Sequence, residues 1–595
     1  MSSGSVSTSN PLPLILTAPP LGNPIHPFSR IRPDAPGLLA ESPCESGDIQ
    51  NDPAVRMISE ARVGGRFWAP AAKAKGPILV CVPPDPAYAR QMWQQAKAWT
   101  SLDQLVLVTP DSGAGWNRMR DAAQAEGAQA LSENVDPFSL LGGTRTLLLP
   151  SGSMNALSAL GALTGHAVMR PDTGCGWKQD THAAAEALQI LRVATEYRSP
   201  FSGMPIDILD AIALLADWKR ILVANRTISV CVGMSFWKRD RMKAFFATAE
   251  ERRPLPLFRR TATSAIATAR RHNTAKGIAV WATRMPRELE RAARKDGLPL
   301  LRVEDGFIRS AGLGSGFLPP ASIITDSRGP YYDPAQPSDL EVLLATHPLG
   351  EDLQARARSL TTLIRMQNIS KYSADATPPN LGTPAGRRII LVPGQVADDM
   401  SVRLGGRNVQ GNMDLLRRVR KACPDAFIVY RPHPDVDAGH RAGAIADADV
   451  LRVADHICRE GGMSPLLDVV DEVHTLTSLT GFEALMRGLP VTTYGQPFYA
   501  GWGLTHDHAP VARRTRRLNV EQLTAATLLL YPRYIDPLTG LFCGPEILID
   551  RFGSPEVWRP DLLMRLRQAQ GAIKKAFVQG VHTVLHTPAK KSDRS

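Results

Sequence analysis

From about residue 61 onward, short uninterrupted apolar runs alternate with longer stretches of helical periodicity. Pro77–Val82, Leu105–Val108, Thr146–Leu149, Ile278–Trp281, Ile389–Val392, Phe427–Tyr430 and Pro490–Thr493 read as buried strands, and Asn412–Ala422 and Gly481–Arg487 as helices between them. A strand that is apolar at every position is covered on both faces, and helices recurring between such strands supply the cover. The pattern predicts an α/β protein with parallel sheets. Residues 1–60 are rich in Pro, Ser and Gly without sustained periodicity, which predicts a flexible leader.

The pattern also repeats. Val106–Gly115 resembles Val429–Gly439, and each is followed by a small-residue helix ending in Gly-x-x-Val, Gly165–Val168 and Gly488–Val491. A Gly-Trp pair comes next (Gly176–Trp177; Gly501–Trp502), then a Tyr-x-x-Pro-x-x-Gly element at Tyr197–Gly203 and Tyr534–Gly540. This predicts a duplicated Rossmann-like half-domain. The first copy lacks polar residues of the second: Thr109 stands opposite His433, and Asn155–Leu157 opposite Phe482–Leu485. A degenerate copy at 61–227 reads as a packing or docking domain. The intact module runs from about Ile228 to Trp558 as two Rossmann-like halves, 228–385 and 386–558. Two such halves facing a cleft is a GT-B-like arrangement, with ligands bound beyond the carboxyl ends of the strands.

Composition narrows the setting. At 595 residues the chain is predicted to form two to four globular units. No apolar run approaches the roughly 18–20 residues of a membrane-spanning helix, and the first residues lack the basic region of a cleaved signal peptide. Seven cysteines scattered without Cys-x-x-Cys spacing fit free thiols in a reducing cytoplasm. The net charge of +12 calls for an acidic partner, a nucleotide, anionic lipid or acidic sugar. Basic residues cluster at Arg513, Arg514, Arg516 and Arg517, but aromatics do not interleave with basic runs, so nucleic acid is not expected.

Polar residues concentrate at predicted strand ends. Glu304 and Asp305, followed by Gly306, would project acids into the cleft or cap a helix. Gly312–Gly316 follows as a loop able to approach an anion but without the Walker lysine. Asp398 and Asp399 stand just past the strand Ile389–Val392, suited to act as nucleophile, base or metal ligands, or simply solvated. His433 lies between Pro432 and Pro434, which hold the imidazole in one direction, useful for neutralising or protonating a departing phosphate. Thr477, Ser478 and Gly481 form a hydroxyl-rich turn into a helix that would cradle a phosphate or serve as an ordinary cap. Glu483 would cap that helix or hold ribose hydroxyls.

Together these blocks resemble the KpsC/LipA-type capsule polysaccharide proteins, the retaining β-Kdo transferases. The resemblance runs from Phe236–Arg239 to about Tyr534, through Val280–Trp281, Glu304–Ser310, Tyr331–Asp333, Ser338–Glu341, Asp399–Ser401, His433–Val436, Thr477–Ser478, Gly481–Leu485 and Pro497–Thr505. It implies a CMP-Kdo donor substrate, no cofactor and no metal, and a lipid-linked acceptor at the inner membrane, with 228–385 the acceptor-side half and 386–558 the CMP-sugar half. By that resemblance His433, Pro434, Thr477, Ser478, Gly481 and Glu483 bind the nucleotide, and Glu304 and Asp305 face the reacting sugar. Asp399 is the first choice of nucleophile and Asp305 the second, because retention by double displacement needs one attacking carboxylate and one proton carrier. Only one module is intact, so single-sugar transfer, or work beside a separate transferase, is expected.

The expected setting is cytoplasmic or peripheral on the inner face of the inner membrane, beside other capsule assembly and export proteins. Residues 559–595 would form a basic amphipathic tail, with apolar Leu562, Leu566, Ile573 and Phe577 near Arg565, Arg567, Lys574 and Lys575. It would rest on the membrane or pack on the core. Two other readings compete: a non-catalytic organiser of polysaccharide export, and a transferase for another CMP-linked ulosonic acid.

Overall fold

The computed structural model describes residues 12–41, 48–111, 113–173, 176–250, 256–272, 275–309, 319–369, 377, 379–383, 386–439 and 441–558. The glycine loop 312–316 and the tail 559–595 lie outside them. The chain divides into two compact units: Met1–Thr227 with Phe246–Leu255 and Thr539–Leu541, and Ile228–Phe245 with Pro256–Leu538 and Phe542–Ser595.

The first unit holds strands β1 (Ser29–Ile31), β2 (Ile78–Cys81), β3 (Leu105–Thr109), β4 (Gln129–Ser132), β5 (Thr146–Leu148), β6 (Ala167–Pro171), β7 (Trp177–Gln179) and β8 (Thr195–Tyr197). Six form one sheet in the order β4-β3-β2-β5-β6-β7, parallel except for β7. All five residues of β3 are buried, as a strand covered on both faces requires. Helices Pro53–Ala61, Pro86–Trp99 and Pro137–Leu141 each start with an Asp cap before a proline. The carboxylate takes free N–H groups of the first turn, and proline has no N–H to leave unpaired.

The second unit contains β9 (Ile228–Val232), β10 (Leu257–Arg259), β11 (Gly277–Trp281), β12 (Leu300–Asp305), β13 (Ser322–Asp326), β14 (Ile389–Pro393), β15 (Phe427–Arg431), β16 (His456–Ile457), β17 (Glu472–Thr475), β18 (Val491–Thr493), β19 (His506–Asp507), β20 (Pro532–Ile535) and β21 (Phe542–Cys543). They form two sheets, β10-β9-β11-β12-β13-β20-β21 and β16-β15-β14-β17-β18-β19. The chain returns from the second half to the first sheet through β20, which pairs with β13. A division at 385/386 therefore separates the sequence more cleanly than the structure. One core including Phe307, Ile308, Leu391, Val429, Phe482 and Phe498 links both halves. Glu341 is ion-paired to both Arg513 and Arg514 (2.9 Å to Arg514), and Tyr531 donates to Asp326 at 2.8 Å. Arg516 donates to the carbonyls of Leu344 and His347. Three of the four clustered arginines thus tie the fold together.

The two units repeat one another more fully than the motifs indicate. Strand order around β2 matches that around β14, and β1 pairs with β8 as β13 does with β20, Ser29 opposite Tyr197 and Ser322 opposite Tyr534. Ser29 donates to the Leu16 carbonyl and Ser322 to that of Ile308. Tyr197 donates to Leu191, and Tyr534 to Leu528, each at 2.9 Å. Each tyrosine follows a π-turn, Ile190–Ala194 or Ala525–Leu530. The flexible-leader reading is therefore corrected for the described part of 1–60. Ile15 and Leu16 are fully buried and β1 belongs to a sheet, because β1 repeats the place of β13 despite the turn-rich composition of this stretch.

Register also corrects the alignment of the copies. Ile78 pairs with Leu105 as Ile389 does with Phe427, so Thr109, the last residue of β3, corresponds to Arg431 rather than His433. Asn155 caps Ala156–Leu163 as Ser478 caps Leu479–Leu485, which puts fully buried Leu160 where Glu483 stands.

Candidate active site

The carboxyl ends of β11, β12, β14, β15 and β17 open onto one cavity of about 550 Å³ within the second unit. Its lining includes Glu304, Asp305, Asp399, His433, Pro434, Thr477, Ser478 and Glu483. The structure therefore brings together eight of the nine residues to which the resemblance assigns a role. Gly481 is the exception. A Cβ there would run into the Tyr499 ring, so this glycine lets the helix pack closely against Tyr499, and it is not among the lining residues.

Glu304 and Asp305 are the last two residues of β12, paired with Ile324 and Ile323 of β13, which removes the helix-cap alternative. Gly306 follows because a Cβ would strike Ser322 on the neighbouring strand. Adjacent strand residues alternate in direction, and the two carboxylates meet different partners. Glu304 Oε1 accepts the backbone N–H of Thr283 at 2.8 Å. Burial pushes its pKa up to about 7, against the Thr283 hydrogen bond and with help from the Asp305 charge. Asp305 has Lys238 Nζ at 3.0 Å from Oδ1 and Arg309 Nε at 3.1 Å from Oδ2.

Across the cavity, the turn after β14 is built on Gln395. Its amide donates to Thr477 Oγ1 and accepts the Thr477 N–H, both at 2.9 Å, tying the turns after β14 and β17 together. Asp399 caps Met400–Gly405: its Oδ1 accepts the N–H of Ser401 at 2.9 Å and the Ser401 hydroxyl at 2.7 Å. Asp398 turns away to Arg441 at 3.0 Å. Tyr332 lies between the halves; burial, with the charges of Glu304 and Asp399 among further causes, holds its phenol well above the usual range.

His433 caps the short helix Pro434–Asp437, its Nδ1 accepting the Asp435 N–H at 3.1 Å. Arg431, two residues earlier, donates to the carbonyls of Glu460 and Gly461 and so holds a wall of the cavity. Ser478 accepts the Thr480 N–H at 3.3 Å, and its carbonyl accepts the Tyr499 hydroxyl at 2.5 Å. Ser478 is thus both the helix cap and a lining group. Glu483, fifth in that helix and 8% exposed, lines the cavity and is not the cap.

Gln395, Tyr332 and Thr283 were not legible as site residues in the sequence. Gln395 and Tyr332 are uncharged neighbours of the acidic residues that drew notice in their loops, and Thr283 meets Glu304 through its backbone N–H. Lys238 carried no role beyond its place in a motif block. It is a cation 7% exposed beside an acidic pair, and only the folded chain shows that.

Residues 276–377 and 354–534 match the family described as "Capsule polysaccharide biosynthesis protein". The chain is 37% identical over 465 residues to the capsule polysaccharide modification protein LipA of Neisseria meningitidis, covering 75% of this chain and 64% of that protein. It thus spans somewhat under two thirds of that relative's length. It is 36% identical to the lipopolysaccharide-processing protein LpsZ of Rhizobium meliloti, covering 58% of this chain and 81% of LpsZ. Among solved structures, the β-Kdo 2,7 transferase of Thermosulfurimonas dismutans KpsC is 33% identical, covering 55% of this chain and 99% of that one at a TM-score of 0.46. The family match falls on the unit that holds the cavity, and the identity to LpsZ extends over most of that protein: this chain belongs to the capsule polysaccharide biosynthesis protein family.

Proposed function

We propose that the second unit is a metal-independent glycosyltransferase that moves Kdo from CMP-Kdo, with retention, onto a lipid-linked acceptor during surface polysaccharide assembly. The observation that carries this reading is the convergence of Glu304 and Asp305 from one half with Asp399, His433, Ser478 and Glu483 from the other on a single cavity. The choice of Kdo follows the motif resemblance, and the choice of a capsule-type pathway follows the family.

In this reading the CMP phosphate lies against His433, Thr477 and Ser478, and Glu483 takes the ribose hydroxyls. With Nδ1 accepting a backbone N–H, neutral His433 carries its hydrogen on Nε2, a donor for the leaving phosphate. Asp399 attacks the anomeric carbon; the C–O bond to phosphate breaks with its electron pair, releasing CMP and leaving a glycosyl ester. The Ser401 bonds fall on Oδ1, which favours Oδ2 for the attack. The acceptor hydroxyl then displaces the carboxylate and gives its proton to Glu304, restoring the original anomer. The first unit, with Leu160 in place of Glu483, takes no part in the chemistry.

The test is incubation of the purified protein with CMP-Kdo and a lipid-linked acceptor, following CMP release and the anomer formed by NMR. Stoichiometric β-linked product is the expected result. No transfer, under conditions where a related transferase works, overturns the proposal. CMP-sialic acid in the same assay separates Kdo from another ulosonic acid.

A further inference from the structure

We propose that Lys238 is a positioning residue for the acidic pair: with Arg309 it holds Asp305 ionised and fixed, leaving Glu304 as the member of the pair that takes the acceptor's proton. The proposal rests on the transferase reading above and adds a division of labour within it. In the step concerned, the acceptor O–H bond breaks as its oxygen bonds to the anomeric carbon. The proton passes to a Glu304 oxygen, and the electron pair of the departing ester bond returns to the enzyme carboxylate.

The geometry is specific. Lys238 closes the turn Phe236–Lys238 after β9, with Nζ 3.4 Å from the centroid of the Trp281 ring at the end of neighbouring β11. Trp237 flanks it at 5.1 Å. A lysine held over an indole keeps one direction, and here that direction ends 3.0 Å from Asp305 Oδ1. Arg309, 1% exposed, meets the other oxygen. A carboxylate with a cation on each oxygen stays ionised and cannot swing.

Glu304 lies in a different field. The charged or titratable groups acting on it are Asp305, Lys238 and Tyr332, with the Thr283 N–H on Oε1. The Asp305 charge raises its proton affinity and Lys238 lowers it. Lys238 itself is pulled down to about 8 by burial, against the attraction of Asp305, and so remains mostly protonated at neutral pH. One buried cation therefore fixes the charge of one acid and trims the affinity of the other. Simple packing of a buried side chain would not need a charged end.

The experiment is the pH dependence of CMP release for wild type, Lys238→Met, Lys238→Arg and Glu304→Gln. Wild type is expected to lose activity below about pH 7 as Glu304 protonates, roughly tenfold per unit. Lys238→Met moves that limb to higher pH by about one unit, so its activity falls about tenfold more at pH 6.5 than at pH 9. Lys238→Arg, which keeps the charge, moves it back, and Glu304→Gln abolishes it. A Lys238→Met profile that superimposes on wild type after scaling assigns Lys238 to packing and overturns the proposal. So does a limb that survives in Glu304→Gln, whatever the state of the Lys238 variants. Calorimetry of CMP binding in buffers of different ionisation enthalpy, with Glu304→Gln as the control for the proton exchanged by the CMP phosphate itself, reads the Glu304 proton without turnover. A buffer dependence near pH 7 that is the same in wild type and Glu304→Gln counts against the inference alone, whereas no binding heat at all counts against the transferase reading.

Discussion

His433 Nδ1 accepts the backbone N–H of Asp435, and that bond sets the tautomer of the neutral ring. Pro434 between them lacks an N–H, so the next available donor of the short helix falls to the imidazole. The hydrogen of the neutral ring therefore sits on Nε2. Replacing His433 by Asn preserves an acceptor for the cap but removes the distal N–H. The expected result is a folded protein with CMP release reduced by about 10²–10⁴-fold, measured by initial rates beside a melting curve. A variant within a few-fold of wild type would remove His433 from the mechanism.

The raised pKa of Glu304 has a consequence for stability that is independent of substrate. Its folded value of about 7 lies above the ordinary 4.5, so between these pH values the folded state binds more protons than the unfolded one. Glu304 therefore weighs on stability increasingly as pH rises through that window, and most above it. Glu304→Gln should melt higher than wild type at pH 8, with the difference vanishing by about pH 4. Equal melting temperatures at both pH values would refute the shift.

Asp399 is expected to carry the sugar. Rapid quenching of the enzyme with CMP-Kdo, followed by peptide mass spectrometry, should find a Kdo-sized adduct on the peptide containing Asp399. Asp399→Asn keeps the helix cap and abolishes the adduct, whereas Asp399→Ala also loses about 1 kcal/mol of capping stability. An adduct on Asp305 instead would reverse the assignment.

Glu341 joins segments far apart in sequence through Arg513 and Arg514, the latter with its side chain 2% exposed. Glu341→Ala leaves a buried guanidinium without its carboxylate, which costs about 3–5 kcal/mol. Denaturant unfolding should show that loss. Arg514 also donates to the carbonyls of Pro497 and Ala500, so the loop beside the cavity should become more susceptible to protease.

Transfer should also survive chelation, because the proposed leaving-group interactions come from His433, Thr477 and Ser478. A chelator such as EDTA is expected to leave the rate unchanged within about twofold. Loss of activity that returns with added magnesium would overturn the metal-independent reading.

Much of the fold was legible in the sequence because burial on both faces leaves a direct mark. Leu105–Val108, Ile278–Trp281 and Phe427–Tyr430 are apolar at every position and form β3, β11 and β15. The segment around β1 left no such mark. It is short and proline-rich, and its place depends on pairing with residues some 166 positions away, as in Arg30 with Glu196.

The site was legible for a related reason. Cavity-lining polar groups cluster where strands end, and motifs such as Glu304–Asp305–Gly306 and Pro432–His433–Pro434 keep that cluster within a few residues. By itself the sequence determined seven of the buried strands, the repeat and eight of the residues that line the cavity, because local composition reports burial and turn chemistry. Only tertiary structure decided what each of them meets: Asp305 is clamped, Asp399 caps a helix, Gly481 makes room for Tyr499, and burial raises the proton affinity of Glu304. These depend on Lys238, Ser401 and Thr283 approaching within hydrogen-bonding range and on Arg309 lying at ion-pair distance, and electrostatic influence acts through space, not along the chain.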